Sequence, residues 1–159
     1  MKIFAALTIV LLTQMSCASV REAASIKPRS FEENGVLMSE PTPSAWAIGS
    51  TWNFVQYAED GTVALDVTFR VTDRPVRTCN SGDWRALEIT KGHVGNGTVP
   101  LQHAYNVSGR LLTLDLTGAC DLGYLQGALD QEKFDGQTVG GGFFDGDFHP
   151  QRVIGHRSR

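Results

Sequence analysis

Between Thr62 and Thr72 the chain alternates without a break. Val63, Leu65, Val67, Phe69 and Val71 fall on one side, and Thr62, Ala64, Asp66, Thr68, Arg70 and Thr72 on the other. Successive side chains of an extended strand point to opposite faces, so this period of two places five large apolar groups together. A helical period of 3.6 cannot gather them on one side. The pattern predicts a strand over 62–72 with one face in a core and the other in water. A helix bundle is excluded on the same grounds, and the 17 glycines and 6 prolines among 159 residues agree, because both residues interrupt helices.

Further short strands surround this one. Ser50 to Tyr57 carries Trp52 and Phe54 on one face and Val55 and Tyr57 on the other. Asp60-Gly61 then supplies a tight hairpin turn. Asp73-Arg74-Pro75 breaks the long run, and Val76 to Cys79 reads as a separate short strand. Strands follow at Trp84 to Thr90, Val99 to Val107, Arg110 to Thr117 and Leu122 to Leu129. Weaker candidates lie at Phe134 to Val139 and Phe148 to Ile154, on either side of the glycine-rich tract from Gly140 to Gly146.

The connections are too short for crossover helices, so sequential neighbours pair antiparallel in a meander of eight or nine strands. Closing such a sheet into a barrel removes its edges completely. The predicted fold class is therefore all-β, an antiparallel meander forming a small closed or nearly closed barrel. A two-sheet sandwich is the alternative.

The amino terminus is an address. Lys2 precedes about ten apolar residues and then small ones, the layout of a secretory signal. Ser16-Cys17 resembles the end of a bacterial lipobox, although Gln14 and Met15 depart from it. Acylated Cys17 would then be the mature terminus. Ordinary cleavage after Ala18 would instead discard Cys17. Either route leaves Cys79 and Cys120 as the only cysteine pair in the body, most simply a disulfide in an oxidising compartment, with two free buried thiols as the other reading. The resulting division is a signal segment over 1–18, an extended tether over 19–44 stiffened by Pro28, Pro41 and Pro43, a β-domain over 45–154, and a basic tail over 155–159.

Gly49-Ser50-Thr51-Trp52-Asn53-Phe54, opening an all-β meander, resembles the start of the calycin group, the lipocalins and avidins. That resemblance implies a barrel whose first-strand tryptophan packs across the closed end, with an arginine of the last strand against it; Arg152 is the candidate. Two features depart from the pattern. No helix-forming segment follows the strands, and there is no avidin-like set of biotin-contacting residues.

Chemistry leaves fewer traces. There is no nucleophile elbow, P-loop, zinc-protease helix or dinucleotide fingerprint, and no cofactor is implied. The net charge of −3 excludes a generally basic nucleic-acid binder. Asp145-Gly146-Asp147 near Asp135 offers oxygen ligands for calcium, against a solvated turn. Phe143, Phe144 and Phe148 read as a plug for one barrel end or as an exposed contact. Trp52, Phe54, Phe69, Trp84 and Tyr105 are the candidate ligand-lining or core residues. The expectation is a non-catalytic, exported or lipid-anchored envelope protein. It would bind a small apolar ligand or a protein partner, and touch membrane only through its N-terminal lipid. The alternatives are a structural envelope subunit and a hydrolase using His103 beside an acidic neighbour.

Overall fold

The computed structural model describes residues 29–94, 102–116, 123–140 and 150–158. Eight strands form a closed antiparallel barrel in which each pairs with the next and the last with the first. They are β1 (Thr51–Tyr57), β2 (Val63–Val76), β3 (Trp84–Lys91), β4 (Ala104–Ser108), β5 (Leu111–Asp115), β6 (Tyr124–Asp130), β7 (Lys133–Val139) and β8 (Arg152–Ser158). Among the described residues one helix, α1 (Phe31–Ser39), precedes them. The sandwich alternative is thereby set aside.

Alternation decides what points inward. Trp52 and Phe54 of β1 stand opposite Phe69 and Val67 of β2, and all four are buried. Val71 of β2, Leu116 just after β5, and Leu87, Tyr105, Leu112, Leu114, Leu125, Leu129, Phe134 and Val153 of the other strands join them in the interior. Eight strands enclose only enough space for such side chains or one small ligand. Gly127 and Gly136, opposite each other on β6 and β7, let the Phe134 ring lie flat on the inner wall. A Cβ at Gly127 would stand 2.7 Å from Phe134 Cζ.

Four expectations need correction. Val63 belongs to the apolar side of β2 yet is 57% exposed. A register shift between Gln56 and Tyr57 sets Val63 opposite Tyr57, on the other face from Trp52 and Phe54, as a bulge does when it breaks the alternation. Asp73-Arg74-Pro75 does not end that strand. A register shift between Val71 and Pro75 absorbs them, and β2 continues to Val76, since a bulge tolerates a proline that cannot donate to the ladder. Val76 to Cys79 is accordingly no separate strand.

The predicted basic tail is largely strand. β8 runs to Ser158, which pairs with Thr51, because β1 would otherwise keep an open edge. The predicted tether contains α1. Its N-cap Ser30 accepts from Glu33 N while Glu33 receives the Ser30 N–H, a reciprocal capping box. The helix is docked on the barrel wall. Arg110 N donates to Leu37 O at 2.8 Å, Asn34 Nδ2 to Gln126 Oε1 at 3.2 Å, and Arg110 Nη1 reaches Glu40 Oε2 at 2.7 Å. Gly109 makes this approach feasible, since a Cβ there would lie 2.4 Å from Leu37 O.

Candidate functional site

The two ends of the barrel differ. One end carries the start of β1, the β4–β5 and β6–β7 hairpins and the connection from β2 to β3. The segment 42–50 crosses it and inserts Ala45 and Trp46 into the core. The Trp46 ring lies 5.2 Å from Trp52, 5.4 Å from Tyr105 and 6.4 Å from Phe54. Thr42 Oγ1 donates to Gly109 O, and Gly49 N to Val71 O, fastening both ends of the plug. Edge-to-face and tilted aromatic pairs of this kind add to simple area burial. The Trp46 indole N–H is buried with no acceptor among the described residues.

The Tyr105 hydroxyl donates to Thr72 O at 2.8 Å. Burial raises its pKa above the ordinary phenol value, which keeps it a neutral donor. Arg157, rather than Arg152, stands opposite Trp52 in the register. Arg152 pairs with Gln137 farther along β8 and reaches Asp135 at 3.4 Å. Arg152 is therefore not the residue opposite the first-strand tryptophan, because β8 extends beyond its predicted end.

The opposite end carries the β1–β2 hairpin and the three longer connections. Asp60 caps the hairpin turn, and its pKa is lowered by the Thr62 hydroxyl and then the Thr62 N–H. Among the described residues, Gln56 is an inward position here that is polar. Gln56 stands opposite Leu65 and Val153, and its Nε2 donates to Gln151 Oε1. Gln151 N in turn donates to Thr138 Oγ1 at 2.8 Å. His103 lies half-buried just before β4, its ring 5.5 Å from Phe69 and its Nδ1 2.6 Å from Leu116 O. Ile89, opposite Phe69, is 36% exposed.

Trp52, Phe54, Phe69 and Tyr105 thus meet in the interior, but Trp84 does not. It faces outward with Ala86 and Ala104, and its Nε1 donates to Ser81 O at 3.1 Å. The connection 77–83 folds back over this outer face, where Asn106 Nδ2 donates to Asp83 O and Gln102 Nε2 to Arg77 O. Cys79 sits exposed within it. Cys17, Cys120, Phe143, Phe144, Phe148, Asp145 and Asp147 lie outside the described residues. His103 bonds a carbonyl oxygen and not a carboxylate. No three His, Cys, Asp or Glu side chains gather as a metal site among the described residues.

Trp46, Gln56 and Gln151 were not singled out by sequence. Trp46 precedes the first periodic segment, and Gln56 continues the inward series of Trp52 and Phe54, which is the one signal that would have found it. Compared with known proteins, the chain matches no protein family, no curated protein and no solved structure.

Proposed function

We propose that this chain is a non-catalytic, exported binding protein of the bacterial envelope, anchored through a lipid on Cys17, whose calycin-like barrel takes a small apolar ligand at one end. The asymmetry of the two ends carries the reading. Trp46 fills one end, while toward the other Ile89, opposite the buried Phe69, remains exposed among the described residues. Exposed apolar groups over an aromatic floor gain free energy when a ligand removes them from water, at about 25 cal/mol per Å². The Cys79–Cys120 bridge belongs to the same proposal. Cys79 engaged in a disulfide supports it, as does an oxidising destination.

A protein partner is the second reading, and Val36 and Met38, exposed on α1, are the observation that favours it. A hydrolase using His103 draws less support, because a carbonyl does not orient a histidine as a general base in the manner of a carboxylate. Mass spectrometry of the protein from its native host, with organic extraction, tests the proposal. A diacyl or triacyl group on Cys17 and a co-extracted apolar molecule are expected. An unmodified terminus at Ser19 removes the anchor, and extraction of no small molecule from stoichiometric protein removes the carrier.

A further inference from the structure

We propose that the space among Trp52, Phe54 and Tyr105 is a binding site for a planar bicyclic aromatic ring without a hydrogen-bond donor, and that Trp46 occupies it as a displaceable substitute. The site lies at the end crossed by 42–50, and so goes beyond the reading above, which places a ligand toward the other. The connections at this end, 42–50, 77–83, 109–110 and 131–132, all belong to the described residues. Its walls are built without Trp46. Trp52 and Phe54 lie with their ring planes 25° apart, both fixed in the ladders of β1 with β2 and β8. The Trp52 indole donates to Ser50 Oγ at 3.2 Å, and the Tyr105 hydroxyl to Thr72 O. With those polar atoms engaged, the rings offer Trp46 apolar surface. Its indole lies tilted at 53° to Trp52 and edge-on to Phe54 and Tyr105. A pre-formed aromatic slot of this kind fits a flat hydrophobic ring.

Trp46 is held in a different way from the walls. It belongs to no strand. Trp46 N donates to Pro43 O and Ser50 N to Ala47 O, bonds that close within the segment itself. Thr42 and Gly49 fasten its two ends to Gly109 and Val71. Gly49 has a φ of +85°, so the chain turns there through a residue with wide backbone freedom. The eight-strand ladder closes without any contribution from 42–50, and the segment can lift while the barrel stays paired. The indole N–H is buried with no acceptor among the described residues. That lost hydration opposes the closed state, and a donor-free ring in the same slot does not incur it. A free ligand competes with a tethered ring, so its apparent affinity falls with the fraction of molecules in which Trp46 has left.

Benzothiophene and indole share a bicyclic shape, and only indole carries an N–H. Calorimetry should show benzothiophene binding Trp46→Ala about tenfold more tightly than the parent, since the variant has no tethered competitor. It should also bind the variant about tenfold more tightly than indole does, because the slot offers the N–H no acceptor. In the parent, benzothiophene at its solubility limit should speed hydrogen exchange of the 42–50 amides, read by mass spectrometry, and leave the β1 amides unchanged. Absence of binding to the folded variant, equal affinity for variant and parent, or tighter binding of indole overturns the proposal. Exchange over 42–50 that is unchanged or slower with benzothiophene also overturns it, since Trp46 then stays in place. Should Trp46→Ala fail to fold, the exchange measurement on the parent decides alone. None of these outcomes bears on the lipid of Cys17 or on a co-extracted molecule, which mass spectrometry of the native protein tests separately.

Discussion

Gly136→Ala puts one methyl group where the barrel has no room for it. A Cβ at this position would stand 2.4 Å from Phe134 Cζ and 2.7 Å from the Gln126 carbonyl oxygen, where ordinary carbon contacts are about 3.5–4.0 Å. Neither neighbour yields easily. Phe134 is buried with its ring 5.4 Å from that of Phe54, and Gln126 is held in the β6–β7 ladder opposite Gln137. Burying the new methyl contributes about 0.8 kcal/mol, while overpacking a tight core costs about 1–3 kcal/mol. A required displacement of about an ångström puts the cost near the upper value, so the expected net loss is about 2 kcal/mol. For a domain of this size that corresponds to a fall in Tm of about 8 °C. Thermal and urea denaturation measure it. Phe134→Leu in the same chain should return part of the loss, with non-additivity of about 1 kcal/mol in the double-mutant cycle. An unchanged Tm for Gly136→Ala, or additivity within about 0.5 kcal/mol, would refute the claim that the Phe134 ring occupies this space.

Three other substitutions or treatments probe separate elements. Gly35 lies inside α1 with nothing within 4 Å of its would-be Cβ, so Gly35→Ala should stabilise by about 0.5–1 kcal/mol through helix propensity; a lower Tm contradicts the helix. Trp46→Phe keeps a ring in the plug while removing an N–H buried without an acceptor, whose desolvation costs about 1–3 kcal/mol. The variant should therefore lie within about 1 kcal/mol of the parent, and a much larger loss would mean that the N–H has a partner. A Cys79–Cys120 bridge closes a loop of about 40 residues, worth about 4 kcal/mol in the chain-entropy model; reduction should lower Tm markedly, and alkylation of both thiols in the folded, unreduced protein would disprove it.

The sequence determined strand identity and direction of facing wherever alternation was strong. The facing of Val67, Phe69 and Val71 and of Trp52 and Phe54 needed no tertiary information, because period two follows from the backbone alone. Short glycine-containing connections dictated antiparallel neighbours, and the absence of crossover helices made a barrel the natural closure. Ser30 and Glu33 also announced a helix start in the S-x-x-E pattern, a signal hidden by the lack of apolar periodicity after it. α1 is held by contacts to residues distant in sequence, Asn34 to Gln126 and Glu40 to Arg110, and local reading does not see those. The bulge that carries β2 through Pro75 likewise depends on what β3 presents opposite it.

Only the tertiary structure decided that Trp46 fills one end of the barrel. Trp46, outside every periodic segment, becomes the plug because the chain 42–50 is pinned to Gly109 and Val71. Trp84 turns outward and Tyr105 inward, though both are aromatic residues of predicted strands, because facing depends on register across neighbours. Arg157 takes the place opposite Trp52 for the same reason. Pairing around a closed barrel fixes every strand against two others at once, and that mutual constraint does not exist in any single stretch of sequence.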